Sequence, residues 1–166
     1  MNDGPPYQSL AVANWFIENL RNITPLKLQK LIYFAHGWHL ALRDKPLIDE
    51  LVQAWDYGPV IPNVYHEFKA CGNQPIIELG THLEMGDDKK IRTVRPRIPD
   101  SAIDAKKLLA RIGEVYGKYT GAQLSTMTHA PGSPWDQVRR EFPNRKGAEI
   151  PDVQIKEHFK QLAKKN

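Results

Sequence analysis

The 166-residue chain contains a single cysteine, Cys71. One cysteine excludes an internal disulfide framework and a cysteine-rich zinc site, and fits a reducing compartment. Nowhere do about 18 apolar residues run together, the length a membrane-spanning helix needs. The opening residues hold no basic segment followed by an unbroken apolar stretch, because Asn14 and Glu18 interrupt their only apolar region. No secretory signal is expected, and the expected location is the cytoplasm. Glycine-rich phosphate loops of the G-x-x-x-x-G-K-[ST] and G-x-G-x-x-G types are missing, as is a G-x-S-x-G turn around Ser125 or Ser133. Those absences disfavour an enzyme, and neither a catalytic residue nor a cofactor is expected.

An excess of one charge is also lacking. Lysine and arginine total 23 against 19 acidic residues, a net of +4. The excess is local. Lys89, Lys90, Arg92, Arg95 and Arg97 stand against Asp87 and Asp88 in residues 87–97, a net of +3. Residues 156–166 carry another +3, so the remaining chain is net negative. Nucleic-acid binding would need both segments on one face with aromatics between them, and only Phe159 is at hand. A solvated hairpin tip and a solvated terminal helix are the better reading.

What is present is helical periodicity. Val12, Ala13, Phe16, Ile17 and Leu20 form one apolar stripe after Ser9, a candidate N-cap. Thr24-Pro25 opens a second helix with the stripe Leu28, Leu31, Ile32, Ala35, Trp38, His39 and Leu42, leaving Lys27, Lys30 and Arg43 for solvent. Leu51 to Trp55 reads as a strand. Gly58, Pro59 and Pro62 argue against any regular element across residues 56–62. A short helix over 63–70 and a hairpin within 76–97, turning at Gly86-Asp87-Asp88, are expected next. A fourth helix capped by Ser101 follows, then helices over 121–128, from Pro134, and from about Asp152. The expectation is one α+β domain spanning 1–166, mainly helical, with a small antiparallel sheet or hairpin.

Three groups of residues invite a chemical reading. His36 and His39 lie three apart on one helix, but no carboxylate stands at helical spacing to complete a metal site, and Tyr33, Phe34 and Trp38 mark the segment as packing. No metal is expected, and His39 reads as a hydrogen-bonded residue at the core edge. Cys71 sits near a helix C-terminus, the wrong dipole end for a thiolate, and reads as packing. Finally, Trp55-Asp56-Tyr57-Gly58-Pro59 and Thr128-His129 with Ser133-Pro134-Trp135 place large aromatics in irregular segments. Exposed, they would form a protein-binding hot spot. Turned inward, they would cap the core, with Asp56 and His129 bonded locally. The residues alone balance these two readings.

The stretch from Ile23 to Trp38, ITPLKLQKLIYFAHGW, resembles the signature of the Panacea domain, which includes SocA-like antitoxins and phage-associated GepA-like proteins. Three further blocks resemble the same family in the same order: Ala54 to Pro62 with Val64-Tyr65, Val115 to Tyr119, and Leu124 through Trp135. The resemblance implies a mainly helical, non-enzymatic domain that acts as the antitoxin of a toxin–antitoxin pair. The implied partners are a cognate toxin protein and, for an adaptor branch, an ATP-dependent protease; a membrane partner is not implied. Carried onto this chain, Trp55, Asp56, Tyr57, Gly58, Pro59, His129 and Trp135 become candidate partner-binding residues. Residues 72–100 match none of these blocks, so the basic hairpin, with Lys89, Lys90, Arg92 and Arg95, becomes a candidate for partner selectivity. Nucleic-acid binding through that hairpin is the alternative from another class.

Overall fold

In the computed structural model, which describes residues 3–166, a buried helix is the axis on which the other elements pack. The first helix, α1 (Ser9–Asn19), leads into that axis, α2 (Pro25–Arg43). Thr24 caps α2 by accepting the Lys27 amide hydrogen at 3.3 Å, and Pro25 takes the first turn. Strands β1 (Val52–Trp55) and β2 (Gly58–Val60) follow, then α3 (Pro62–Phe68) and a 3-10 turn (Lys69–Cys71). A separate hairpin, β3 (His82–Met85) and β4 (Ile91–Val94), precedes α4 (Ile103–Tyr116), α5 (Gly121–Thr128), α6 (Pro134–Glu141), β5 (Ala148–Ile150) and α7 (Asp152–Lys164). The α+β, mainly helical architecture is as expected. Residues 1 and 2 of the expected domain lie outside the described residues.

Helices α1, α3, α4, α5 and α7 and strand β2 all meet α2. Such a helix must be apolar nearly all round, and its few polar side chains must each find a partner. They do. Gln29 takes both backbone groups of Ile61, accepting from the amide at 2.7 Å and donating to the carbonyl at 3.2 Å. Lys30 donates to the Pro59 carbonyl at 2.9 Å. His36 Nδ1 accepts the Leu47 amide at 3.2 Å, which leaves its Nε2 hydrogen for Asp152 at 2.8 Å. His39 Nδ1 donates to the Lys45 carbonyl at 2.6 Å, the core-edge role expected of it. Both histidines therefore serve as fasteners, and burial keeps the His39 pKa below the usual value. Among the described residues, no three His, Cys, Asp or Glu side chains gather into a metal-binding group, and no helix is long and apolar enough to cross a membrane.

Further along α2, Tyr33, Phe34 and Trp38 meet Phe159 of α7 edge to face, and Phe34 stacks on Tyr116 at 4.1 Å. Gly37 makes this possible: a Cβ there would enter the Phe159 ring.

Several sequence expectations are corrected. Lys30 is fully buried, not solvated, whereas Leu42 of the supposed stripe is exposed. Residues 56–62 do contain a regular element, because β2 pairs antiparallel with β1, Pro59 opposite Ala54. Proline is tolerated there because β2 is an edge strand in the order β2-β1-β5. Strand β5 was not anticipated; it pairs Ala148 with Ala54 and Ile150 with Val52. Ser9 and Ser101 are not caps: α1 and α4 follow Gln8 and Ala102, while Ser9 donates to Glu50 and Ser101 to Asp3. The hairpin is confined to 82–94, and Ile76 is tied separately to Ile23 by a 2.8 Å backbone bond.

Candidate partner-binding site

The loop after β1 and the segment from Thr128 to Trp135 are distant in sequence and adjacent in space. Each alternate residue of the loop is held through its carbonyl. Trp135 Nε1 donates to the Trp55 carbonyl at 2.6 Å, Ser125 Oγ to that of Tyr57 at 2.6 Å, and Lys30 Nζ to that of Pro59 at 2.9 Å. Gln29 continues the series at Ile61. Asp56 and Tyr57 are the two turn residues between the paired Trp55 and Gly58, so the loop is fastened through its carbonyls while these two side chains are displayed.

Local sequence explains the fasteners. Thr120 and Gln123 form a reciprocal capping box on α5, which sets Ser125 and Thr128 facing the loop. Thr128 Oγ1 donates to the Ser125 carbonyl at 2.7 Å. Ser133 Oγ donates to the Thr128 carbonyl at 2.8 Å and caps α6 by accepting the Asp136 amide at 3.2 Å. With Pro134 at its first turn, α6 starts where the Trp135 indole can reach β1.

The expected site residues divide accordingly. Gly58 and Pro59, expected among the partner-binding residues, are buried and touch scaffold. Gly58 has φ +113°, and a Cβ there would lie 2.8 Å from Thr128 Oγ1 and 2.9 Å from Lys30 Nζ. His129 and Trp135 are half-buried and stack face to face at 3.9 Å. His129 Nε2 is buried and makes no hydrogen bond of ordinary geometry among the described residues. Burial, reinforced by the Lys30 charge, lowers the His129 pKa against the opposing pull of the Tyr57 carbonyl. Trp55 is half-buried, its indole donating to Gln53 and its ring meeting Tyr65 at 4.7 Å. Asp56 and Tyr57 face solvent. Asp56 accepts from Arg139 at 3.1 Å, and Arg139 also lies over the Trp135 ring. Tyr57 is 75% exposed.

Beside Tyr57 opens a cleft of about 430 Å³ whose apolar walls include Leu26, Val60, Val64, Tyr65 and Phe68. Lys30 lies at its base with no carboxylate partner among the described residues, and burial pulls its pKa down to about 7. Lys30, Gln29, Ser125, Arg139 and Tyr65 escaped the sequence reading as parts of this site. A signal for Lys30 existed: Tyr33, Phe34 and Gly37 stand three, four and seven residues on, the face that α7 and α4 cover.

Of the expected selectivity residues, Arg92 is neutralised by a two-pronged bond to Asp88 at 3.1 and 2.7 Å. Lys89, Lys90 and Arg95 are exposed and make no ion pair among the described residues. Arg97 pairs with Glu18 of α1 at 2.7 Å.

A family model described as "Antitoxin SocA-like, Panacea domain" matches residues 28–136, which contain the loop, the Thr128–Trp135 segment and, apart from Pro25 and Leu26, the lining of the cleft. A curated protein named Antitoxin SocA, from Caulobacter vibrioides (strain NA1000 / CB15N), is 34% identical over 132 residues, covering 77% of this chain and 68% of that protein. No solved structure matches. The chain belongs to the SocA-like antitoxin family defined by the Panacea domain.

Proposed function

We propose that this protein is an antitoxin that neutralises a cognate toxin by direct contact, without catalysis, and that Asp56, Tyr57 and the adjoining cleft form the contact. Family membership and the name of the curated relative support the general role. The observation that carries the specific reading is Tyr57, a large aromatic displayed on a loop whose carbonyls at 55, 57 and 59 are each fastened from behind. A side chain on a pre-set backbone loses little conformational freedom on binding, and tyrosine is among the residues that dominate interface energetics. The cleft beside it has the size and apolar walls to accept one large side chain of the partner. Asp56 and Arg139 at the rim orient the encounter. In this reading Gly58, Pro59, His129 and Trp135 are positioning residues.

Co-expression with the product of the adjacent gene tests it. Masking requires that this product arrest growth alone, that the chain restore growth, and that the two co-purify. Masking also predicts an unchanged half-life for the toxin, whereas delivery to an ATP-dependent protease predicts a shortened one. An adjacent product that is harmless, or that is neither bound nor counteracted, removes the reading.

A further inference from the structure

The hairpin of β3 and β4 stands apart from the three-stranded sheet, and among the described residues no third strand joins it. Its register pairs Leu83 with Thr93 and Met85 with Ile91. Alternation along each strand therefore puts Leu83, Met85, Ile91 and Thr93 on one face. The three large side chains are 71%, 70% and 65% exposed. An isolated two-stranded hairpin is marginally stable in water, and an apolar face with free edges is a template for further pairing.

The base of this hairpin is built to hold it in place. Asn14, buried in α1, donates to the carbonyls of Gly80 and Pro96, both at 3.0 Å, and accepts the Gly80 amide at 2.7 Å. One side chain thus ties the strand going out to the strand coming back. Gly80 lies so close to α1 and α3 that a Cβ would meet Leu10 at 2.5 Å and Phe68 at 2.9 Å. The Arg97–Glu18 ion pair fastens the returning strand a second time. At the tip, Asp87, Asp88 and Lys89 make a three-residue turn, Lys89 taking the left-handed position at φ +59°, closed by the Gly86 amide on the Lys90 carbonyl at 2.9 Å.

We propose that the Leu83–Met85–Ile91 face is a second docking surface for the toxin, and that the toxin segment it takes is extended, apolar on one side and rimmed by carboxylates. The proposal rests on the antitoxin reading above and adds to it the chemistry of the partner segment. Charge decides between occupants. Lys89 and Lys90 at the tip and Arg95 at the foot are unpaired cations bordering the face, so a second copy laid on it would bring like charges together. An acidic-rimmed apolar segment instead meets Lys89, Lys90 and Arg95 with opposite charge and covers the face.

The test uses the full chain co-purified with the adjacent gene product, with hydrogen exchange followed over residues 82–95. Two double variants accompany it: Leu83→Ser with Met85→Ser, and Lys90→Glu with Arg95→Glu. All four positions are solvent-exposed, and unchanged melting temperatures verify that the fold is intact. The expected results are protection of 82–95 in the complex, at least tenfold weaker binding for the serine pair, and slower, less salt-sensitive association for the charge-reversed pair. A complex that forms with 82–95 unprotected and both variants binding normally overturns this proposal and leaves the antitoxin reading standing. Absence of any complex removes both. Protection of 82–95 that rises with concentration in the free protein identifies a second copy as occupant. Variant-sensitive binding to vesicles of phosphatidylglycerol and phosphatidylcholine identifies a membrane. Either result overturns the assignment to the toxin.

Discussion

The ammonium of Lys30 lies 2.9 Å from the carbonyl of Pro59, buried and without a carboxylate to balance it among the described residues. A cation in that position costs stability unless it fastens something, and what it fastens is the loop that displays Tyr57. Burial lowers the Lys30 pKa from 10.5 to about 7. The unfolded chain thus binds this proton more tightly than the folded one. The destabilising contribution is fully present below pH 7 and fades as pH rises from 7 towards 10.5. Its ceiling is about 5 kcal/mol at 1.36 kcal/mol per pKa unit. Urea denaturation between pH 6 and 9.5 is expected to show stability rising with pH, and Lys30→Met to flatten that rise. Above that range the raised pKa values of Tyr7, Tyr33 and Tyr116 act in the opposite sense.

Trp135→Phe keeps an aromatic ring against His129 and deletes the indole donor to the Trp55 carbonyl. The expected loss is about 1–2 kcal/mol, the cost of leaving one acceptor unpaired. It is accompanied by faster amide exchange in residues 55–59. A loss of stability with no change in loop exchange would mean that the indole supports the core and not the loop.

Gly58→Ala forces a side chain onto φ +113° and into Thr128 and Lys30. Strain of about 1–3 kcal/mol is expected from the backbone alone. Gly37→Ala, by contrast, improves helix propensity by about 1 kcal/mol yet overpacks the Phe159 ring at a cost of about 1–3 kcal/mol. Chemical denaturation is expected to show both variants destabilised, Gly58→Ala the more so.

Asn14→Ala leaves two carbonyls and one amide at the hairpin base without their partner. At about 1–3 kcal/mol for each buried group left unsatisfied, relieved in part by water, a loss of at least 2 kcal/mol is expected. Amide exchange across 80–96 rises while that of α2 and α7 follows only global stability.

The helices and the β3–β4 hairpin were legible because periodicity and turn residues agree along those stretches, even where the caps expected at Ser9 and Ser101 do not form. Pro25 after Thr24 and the Gly86-Asp87-Asp88 turn are local signals that need no tertiary information. The corrections arise where tertiary contacts decide. Strand β2 contains Gly58 and Pro59, which read as breakers, and survives because an edge strand needs fewer backbone donors. Strand β5 is three residues long and exists only because β1 offers an edge. Lys30 read as solvated because the stripe was traced on one face of α2, although Tyr33, Phe34 and Gly37 made a second apolar face beside it. At the site, sequence located both aromatic segments but left open whether they face in or out. The answer divides within the segments: backbone carbonyls and Trp135 turn inward, Asp56 and Tyr57 outward, because these two residues form the turn between the paired Trp55 and Gly58.

The contact at Tyr57 is tested most directly by Tyr57→Ala, assayed for growth rescue and binding when co-expressed with the adjacent gene's product. The side chain is solvent-exposed, so the melting temperature is expected to stay within about 1–2 °C of the unmodified protein, as for surface substitutions of up to about 0.5 kcal/mol. Binding is expected to weaken by about 30-fold or more, the 2 kcal/mol of an interface hot spot, and growth rescue to fail. Full rescue and unchanged affinity in the Tyr57→Ala protein would contradict the account.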